Sequence, residues 1–168
     1  MKLIWPTMEY AKTIQDFRRE FLKTGDSMDG GASLRKFERT QDWLDHVESF
    51  RRAETTQFIY LRESDGKMVG VIQIRHRFNA YLEKFGGHIG YAVAPSERRK
   101  GYATQMLRAA LPECVKLGID RVLVTCLRET EASRRTILKN GGLYESTVYD
   151  PKENCYIERY WIDLSGHS

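Results

Sequence analysis

Cysteine is scarce in this chain: Cys114, Cys126 and Cys155 stand far apart, with no CxxC and no Cys/His cluster around them. So small a set cannot form a tetrahedral zinc site alone, and an odd, sparse count fits a reducing cytoplasm better than a disulfide scaffold. Cys114 and Cys126 lie in apolar runs, where a thiol packs as a small hydrophobe. Also missing is any run near the roughly 18 apolar residues that cross a bilayer. The opening MKLIWPTMEY reaches Pro6 and Glu9 before a signal core can form, so neither membrane insertion nor secretion is expected. Repeats, linkers and low-complexity tracts are absent too, and 168 residues suit one domain, expected to span 1–168.

Charge of one sign is barely in excess, since 27 basic against 23 acidic residues leaves +4. The balance favours an anionic partner. Yet the basic groups are dispersed, at Arg18-Arg19, Arg51-Arg52, Arg98-Arg99-Lys100 and Arg134-Arg135, rather than gathered into one stripe. Neither a nucleic-acid partner nor a membrane partner is expected from that pattern. The remainder is ordinary: 41% hydrophobic residues suffice for a chain of this size to bury about two-thirds of its unfolded surface.

Periodicity sets the elements. Lys2 to Trp5 reads as a short strand, and Tyr10, Ile14, Phe17, Phe21 and Leu22 recur at helical spacing up to Gly25. Residues 24–36 form a Gly/Ser/Asp-rich loop long enough to be a binding element or lid. A second helix follows Thr40. Thr56 to Leu61 and Met68 to Ile74 predict a hairpin turning at Ser64-Asp65-Gly66. His88 to Val93 predicts a strand ended by Pro95, and residues 101–117 a helix with Gly118 past its end. Val122 to Leu127 is nearly unbroken apolar, as for a strand covered on both faces and parallel to its neighbour. A short helix from Glu131 to Asn140 and a hairpin of 144–149 with 156–164 complete the order.

The chemistry concentrates at Ser96 to Thr104, where a strand passes through a basic, glycine-containing turn directly into a helix. A helix N-terminus offers unpaired N–H groups and roughly half a positive charge, which suits a phosphate. Gly101 permits close approach, Ala103 leaves the groove open, Thr104 adds a hydroxyl, and Arg98, Arg99 and Lys100 flank the anion. Neither the GxxxxGK[ST] loop nor the GxGxxG turn occurs.

The string Arg98-Arg99-Lys100-Gly101-Tyr102-Ala103 matches [RQ]xxGx[GA], and GGHIGYAVAPSERRKGYATQML, VLVTCL and SRRTILKNGG occur in order. In these residues the chain resembles the GNAT acetyltransferase superfamily, in a poorly characterised bacterial branch. The resemblance implies a mixed α/β (α+β) fold: a mostly antiparallel sheet of about seven strands with one splayed parallel pair, flanked by about four helices. It also implies acetyl-CoA as cosubstrate, with Tyr91, Ala92 and Val93 pairing to the pantetheine arm. The pyrophosphate would lie on the amides from Arg99 to Thr104, including Tyr102, with Thr130 and Ser133 across the cleft. An amide near Ala92 or Val93 would polarise the thioester carbonyl.

The implied reaction is direct acetyl transfer to an amine in a ternary complex, in the cytoplasm, with a homodimer frequent among such proteins. The acceptor is a small-molecule amine or a protein amine. Where the family commonly has Asn and, seven residues later, Tyr as general acid, this chain has Thr130 and Ile137. Thr130 can still cap the helix. Tyr144 is therefore the expected acid, with Tyr149 as substitute, and His88 the expected base, since an imidazole titrating near 6.5 accepts protons at neutral pH. Glu83, Glu145 and Glu158 are weaker candidates for the base, Tyr156 can reach the acceptor, and Asp26 and Asp29 can attract a cationic amine. The missing acid also leaves room for a non-catalytic acetyl-CoA sensor or interaction module.

Overall fold

Strand-forming runs and amphipathic helices alternate along the chain, and in the computed structural model, which describes residues 1–166, they assemble on one sheet. The strands are β1 (Lys2–Ile4), β2 (Thr55–Arg62), β3 (Lys67–Arg75), β4 (Ile89–Val93), β5 (Arg121–Leu127), β6 (Leu143–Asp150) and β7 (Cys155–Asp163). The helices are α1 (Ala11–Thr24), α2 (Thr40–Arg51), α3 (Tyr102–Lys116) and α4 (Glu131–Lys139). Sheet order is β1-β2-β3-β4-β5-β7-β6, with only β4 and β5 parallel among neighbours. The expected mostly antiparallel architecture, with its one parallel pair, is what forms.

Two cores cover the faces. Met106, Leu107, Ala110, Val124 and Ile137 pack on the side of α3 and α4; Ile14, Phe17, Phe21, Trp43 and Val71 pack on the side of α1 and α2. Val122, Leu123 and Val124 are all free of solvent, which explains the unbroken apolar run in β5. Gly25 ends α1 as expected: it adopts φ 73° and donates its amide to the Phe21 carbonyl at 2.9 Å.

Two features of the fold set the surroundings of β4. It shares a single register pair with β5, Ile89 with Val124, so the two strands separate beyond it. And the 24–36 loop is pinned over the sheet, because Gln57 Nε2 donates to the Gly30 carbonyl at 2.8 Å and Trp43 Nε1 to the Gly31 carbonyl at 3.1 Å. Gly30 has φ 71°, and a side chain there would collide with the Gly90 carbonyl on β4. No helix among the described residues is long and apolar enough to cross a membrane.

Candidate active site

The turn into α3 is held from beneath by a buried carboxylate. Glu97 meets Arg62 at 2.8 Å, Lys67 at 3.2 Å and Lys100 at 2.9 Å, and the Arg62 hydrogen bonds foremost hold its carboxyl down to about 2. Glu20 of α1 accepts both the amide of Ser96, at 3.1 Å, and its hydroxyl, at 2.8 Å. Arg98 bonds Asp26 at 2.6 Å, so this loop acid belongs to the turn rather than to the acceptor side. Arg62 Nη1 also donates to the Tyr102 hydroxyl at 3.2 Å.

Above this base the backbone is left open. Arg99 and Gly101 both take positive φ, 62° and 81°, and Gly101 caps α3 with no side-chain hydrogen bond. Successive N–H groups therefore converge at the helix mouth, with the geometry and partial charge that receive an anion. Ala103 and Thr104 are half-buried in the first turn, fixed by Asn140 Nδ2 donating to the Thr104 carbonyl at 3.2 Å.

Next to it lies the gap between β4 and β5. Tyr91, Ala92 and Val93 pair with Ile72, Val71 and Gly70 on β3, while their edges toward β5 lie past the last rung. Tyr91 and Val93 pack on the α3/α4 face, and Ala92 on the other. The Tyr91 hydroxyl is buried and has no hydrogen-bond partner. The Ser133 and Thr136 hydroxyls of α4 are close enough to act on it, but burial outweighs them and pushes the phenol up to about 12. Ile137 is fully buried in the core, and Thr130 begins α4 without making the side-chain cap expected of it.

Two expected proton carriers are engaged in ways that do not suit the roles the sequence suggests. His88 is buried, and its Nδ1 accepts the Leu123 amide at 2.9 Å while its own amide donates to the Leu123 carbonyl at 2.8 Å. The lone pair a base needs is thus already used, and burial, with the Arg75 charge second, lowers its pKa to about 4. Tyr144 sits exposed on the edge strand β6, with β7 and β5 between it and β4, and its hydroxyl pairs with Thr147 at 2.8 Å. Edge-strand position, which β7 pairing dictates, separates it from the cleft. Tyr149 pairs with Tyr156 on those same outer strands. Glu158 is engaged by Arg134 and Glu145 by Arg159.

The sequence reading missed three groups: the Glu97 hub, the Tyr91 phenol and Arg75. Arg75 Nη1 donates to the Gly86 and Gly87 carbonyls at 3.1 and 3.2 Å, tying down a wide helical turn, Leu82–Gly86, that leads into β4. The Asn79 side chain starts that turn by accepting the Leu82 amide at 2.8 Å, a local signal that was available.

One family description, Acetyltransferase (GNAT) family, matches the chain over residues 11–142, a span that includes this helix mouth and the strand pair that separates beside it. The chain belongs to this family. Among solved structures it is similar to a ribosomal-protein-S5-alanine acetyltransferase from Vibrio fischeri, at 13% identity, TM-score 0.72, and 97% and 92% coverage of the two chains. A spermidine N-acetyltransferase from Vibrio cholerae, in a point-mutant form, gives 12% identity, TM-score 0.70, and 99% and 97% coverage. A ribosomal L7/L12 alpha-N-protein acetyltransferase in complex with coenzyme A gives 16%, 0.70, and 96% and 92%. Identities this low establish the fold alone. No curated protein matches the chain. As a GNAT member it is an acyltransferase, and its acceptor is a separate question.

Proposed function

We propose that this GNAT protein moves an acetyl group from acetyl-CoA to an amine by direct attack in a ternary complex. The observation that carries the reading is the uncapped α3 mouth at Gly101 opening directly onto the unpaired edge of β4. Acetyl-CoA supplies an activated thioester; everything else is done by the chain. Amides from Arg99 to Thr104 bind the pyrophosphate, with Arg98, Arg99 and Lys100 adding positive charge. Backbone groups of Tyr91, Ala92 and Val93 orient the pantetheine arm, and an amide at Ala92 or Val93 donates to the thioester carbonyl, where negative charge develops. His88 holds β4 to β5 at Leu123 and so fixes where the gap begins. The amine's proton leaves through water in the cleft. Three free cysteines, two of them buried, suit the cytoplasm.

Proton delivery to the departing sulfur falls to Tyr91, whose strand borders the gap and whose buried hydroxyl, beside α4, has no hydrogen-bond partner. A phenol with so high a pKa stays protonated at any working pH and so is always a donor. Tyr91→Phe should raise the unfolding temperature of the ligand-free protein, because an unsatisfied buried hydroxyl costs about 1–3 kcal/mol. The same change should lower turnover about a hundredfold, the lower end of general-acid effects. Thermal unfolding and thiol release measure both; unchanged turnover removes Tyr91 from this role.

Calorimetry with acetyl-CoA, followed by thiol release across an amine panel, tests the proposal itself. Binding with release for at least one amine is expected. Absence of binding overturns it, and tight binding with no release against any amine favours the sensor role instead.

A further inference from the structure

Along the stretch that borders the gap, β4 is held on one edge only. Past the Ile89–Val124 rung its ladder runs to β3 alone, so its distance from an incoming thioester depends on what packs on its faces. On one face that is the α3/α4 core around Tyr91 and Val93. On the other it is the 24–36 loop, which presses Gly30 on Gly90 and adds Met28 and Ala32 to the core that Ala92 joins.

This loop is tied at two places. Toward the sheet, Gln57 and Trp43 hold the Gly30 and Gly31 carbonyls. Toward the phosphate turn, Asp26 is held twice: its carboxylate meets Arg98 at 2.6 Å, and its carbonyl accepts from Arg35 Nη2, whose Nη1 reaches the Phe21 carbonyl at 3.5 Å. Arg98 also lies over the Phe21 ring, 5.9 Å from its centre. Between the ties the backbone is not relaxed. Ala32 and Ser33 both take left-handed φ, 49° and 59°, a conformation that persists only where its surroundings enforce it. Such a segment shifts when a tie is cut.

Arg98 belongs to the turn that receives the pyrophosphate, and Gly90 adjoins Tyr91 at the gap. One strap therefore joins the diphosphate end of the cosubstrate site to its thioester end.

We propose that Asp26 is a positioning residue: through Arg98 it anchors the 24–36 loop to the phosphate turn, and the loop fixes β4 where its amide must meet the thioester carbonyl. This rests on the acetyl-transfer reading and adds to it a residue that does not itself touch the cosubstrate. The pair is half-exposed, so its strength is modest and its effect lies in where it holds the loop.

Asp26→Asn removes the charge and keeps the shape. Thiol release with an accepted amine should show kcat about fivefold lower, the upper end of what so exposed an ion pair contributes. Acetyl-CoA affinity by calorimetry should be unchanged or tighter, because a turn without that carboxylate is more positive toward a diphosphate. Asp26→Glu, which restores the charge, should recover most of the rate. Hydrogen exchange in the ligand-free Asp26→Asn protein should quicken at residues 26–33 and 90–93 and not in α2. An unchanged kcat, or a Glu variant as slow as the Asn variant, overturns the inference. So does a slower rate accompanied by weaker acetyl-CoA binding, the result expected of a turn that merely loses support. If the wild type releases no thiol with any amine, the transfer reading falls, and exchange then decides the strap by itself. Equal exchange in variant and wild type overturns it in either case.

Discussion

Gly101→Val is expected to abolish acetyl-CoA binding while leaving the fold in place. Around Gly101 there is open space: an added side chain would meet only Gln105 Nε2, at 3.9 Å. What the variant loses in the ligand-free protein is conformational, since φ 81° lies in the left-handed region that a β-branched residue resists. That strain amounts to roughly 1–3 kcal/mol, or a fall of about 3–10 °C in unfolding temperature for a chain of this size. Binding suffers far more. The new methyl groups would stand at the mouth of α3, where the phosphate must come within hydrogen-bonding distance of main-chain amides. An affinity loss of about a hundredfold or more results, at 1.4 kcal/mol per decade, once two such bonds are gone. Gly101→Ala should show similar strain with a smaller loss of affinity. Calorimetry and thermal unfolding separate the two effects, and unchanged affinity in Gly101→Val would remove this turn from the cosubstrate site.

How far such a site is legible in sequence depends on the range of the contacts that build it. The α3 face, Met106, Leu107, Ala110, Leu111 and Cys114, comes from local spacing, as do the ends at Gly25 and Gly118. The phosphate turn is equally local, because strand, basic turn and helix mouth are contiguous in the chain. Register is not local. Whether Tyr91 or Ala92 faces α4 depends on where β4 pairs with β3, and a shift of one residue would exchange them. Tyr144 looks as suitable as Tyr91 until sheet order puts two strands between it and the cleft. Glu97 gains its role only when Arg62 from β2 and Lys67 from β3 reach it, and Gly30 only when its loop crosses Gly90. Pro112 sits inside α3, exposed, and the helix continues past it, as the apolar spacing over 101–117 requires.

His88 carries a pH effect through the weakly acidic range, and its sign is set by the direction of its shift. In the unfolded chain the imidazole titrates at the ordinary 6.5, and in the folded chain at about 4, chiefly because burial disfavours the charged ring. Above pH 6.5 both forms are neutral and the residue adds no pH dependence. Between 6.5 and 4 the unfolded state binds a proton that the folded state refuses, so stability falls as pH falls and levels out below 4. At 1.36 kcal/mol per unit the loss is on the order of 3 kcal/mol. His88→Ala should erase that slope, measured as urea midpoints from pH 7 to 4, and should cost about 2–4 kcal/mol at pH 7. The cost arises because the Leu123 amide loses its acceptor and the contact with the Phe78 ring, 4.2 Å away, becomes a cavity. Equal slopes in variant and wild type would show that the ring is not the buried neutral tether described. The kinetic corollary separates this role from that of a base. With Nδ1 engaged and the proton affinity this low, any inflection of kcat/KM near neutral pH belongs to another group and should persist in His88→Ala; its disappearance would return proton abstraction to the imidazole.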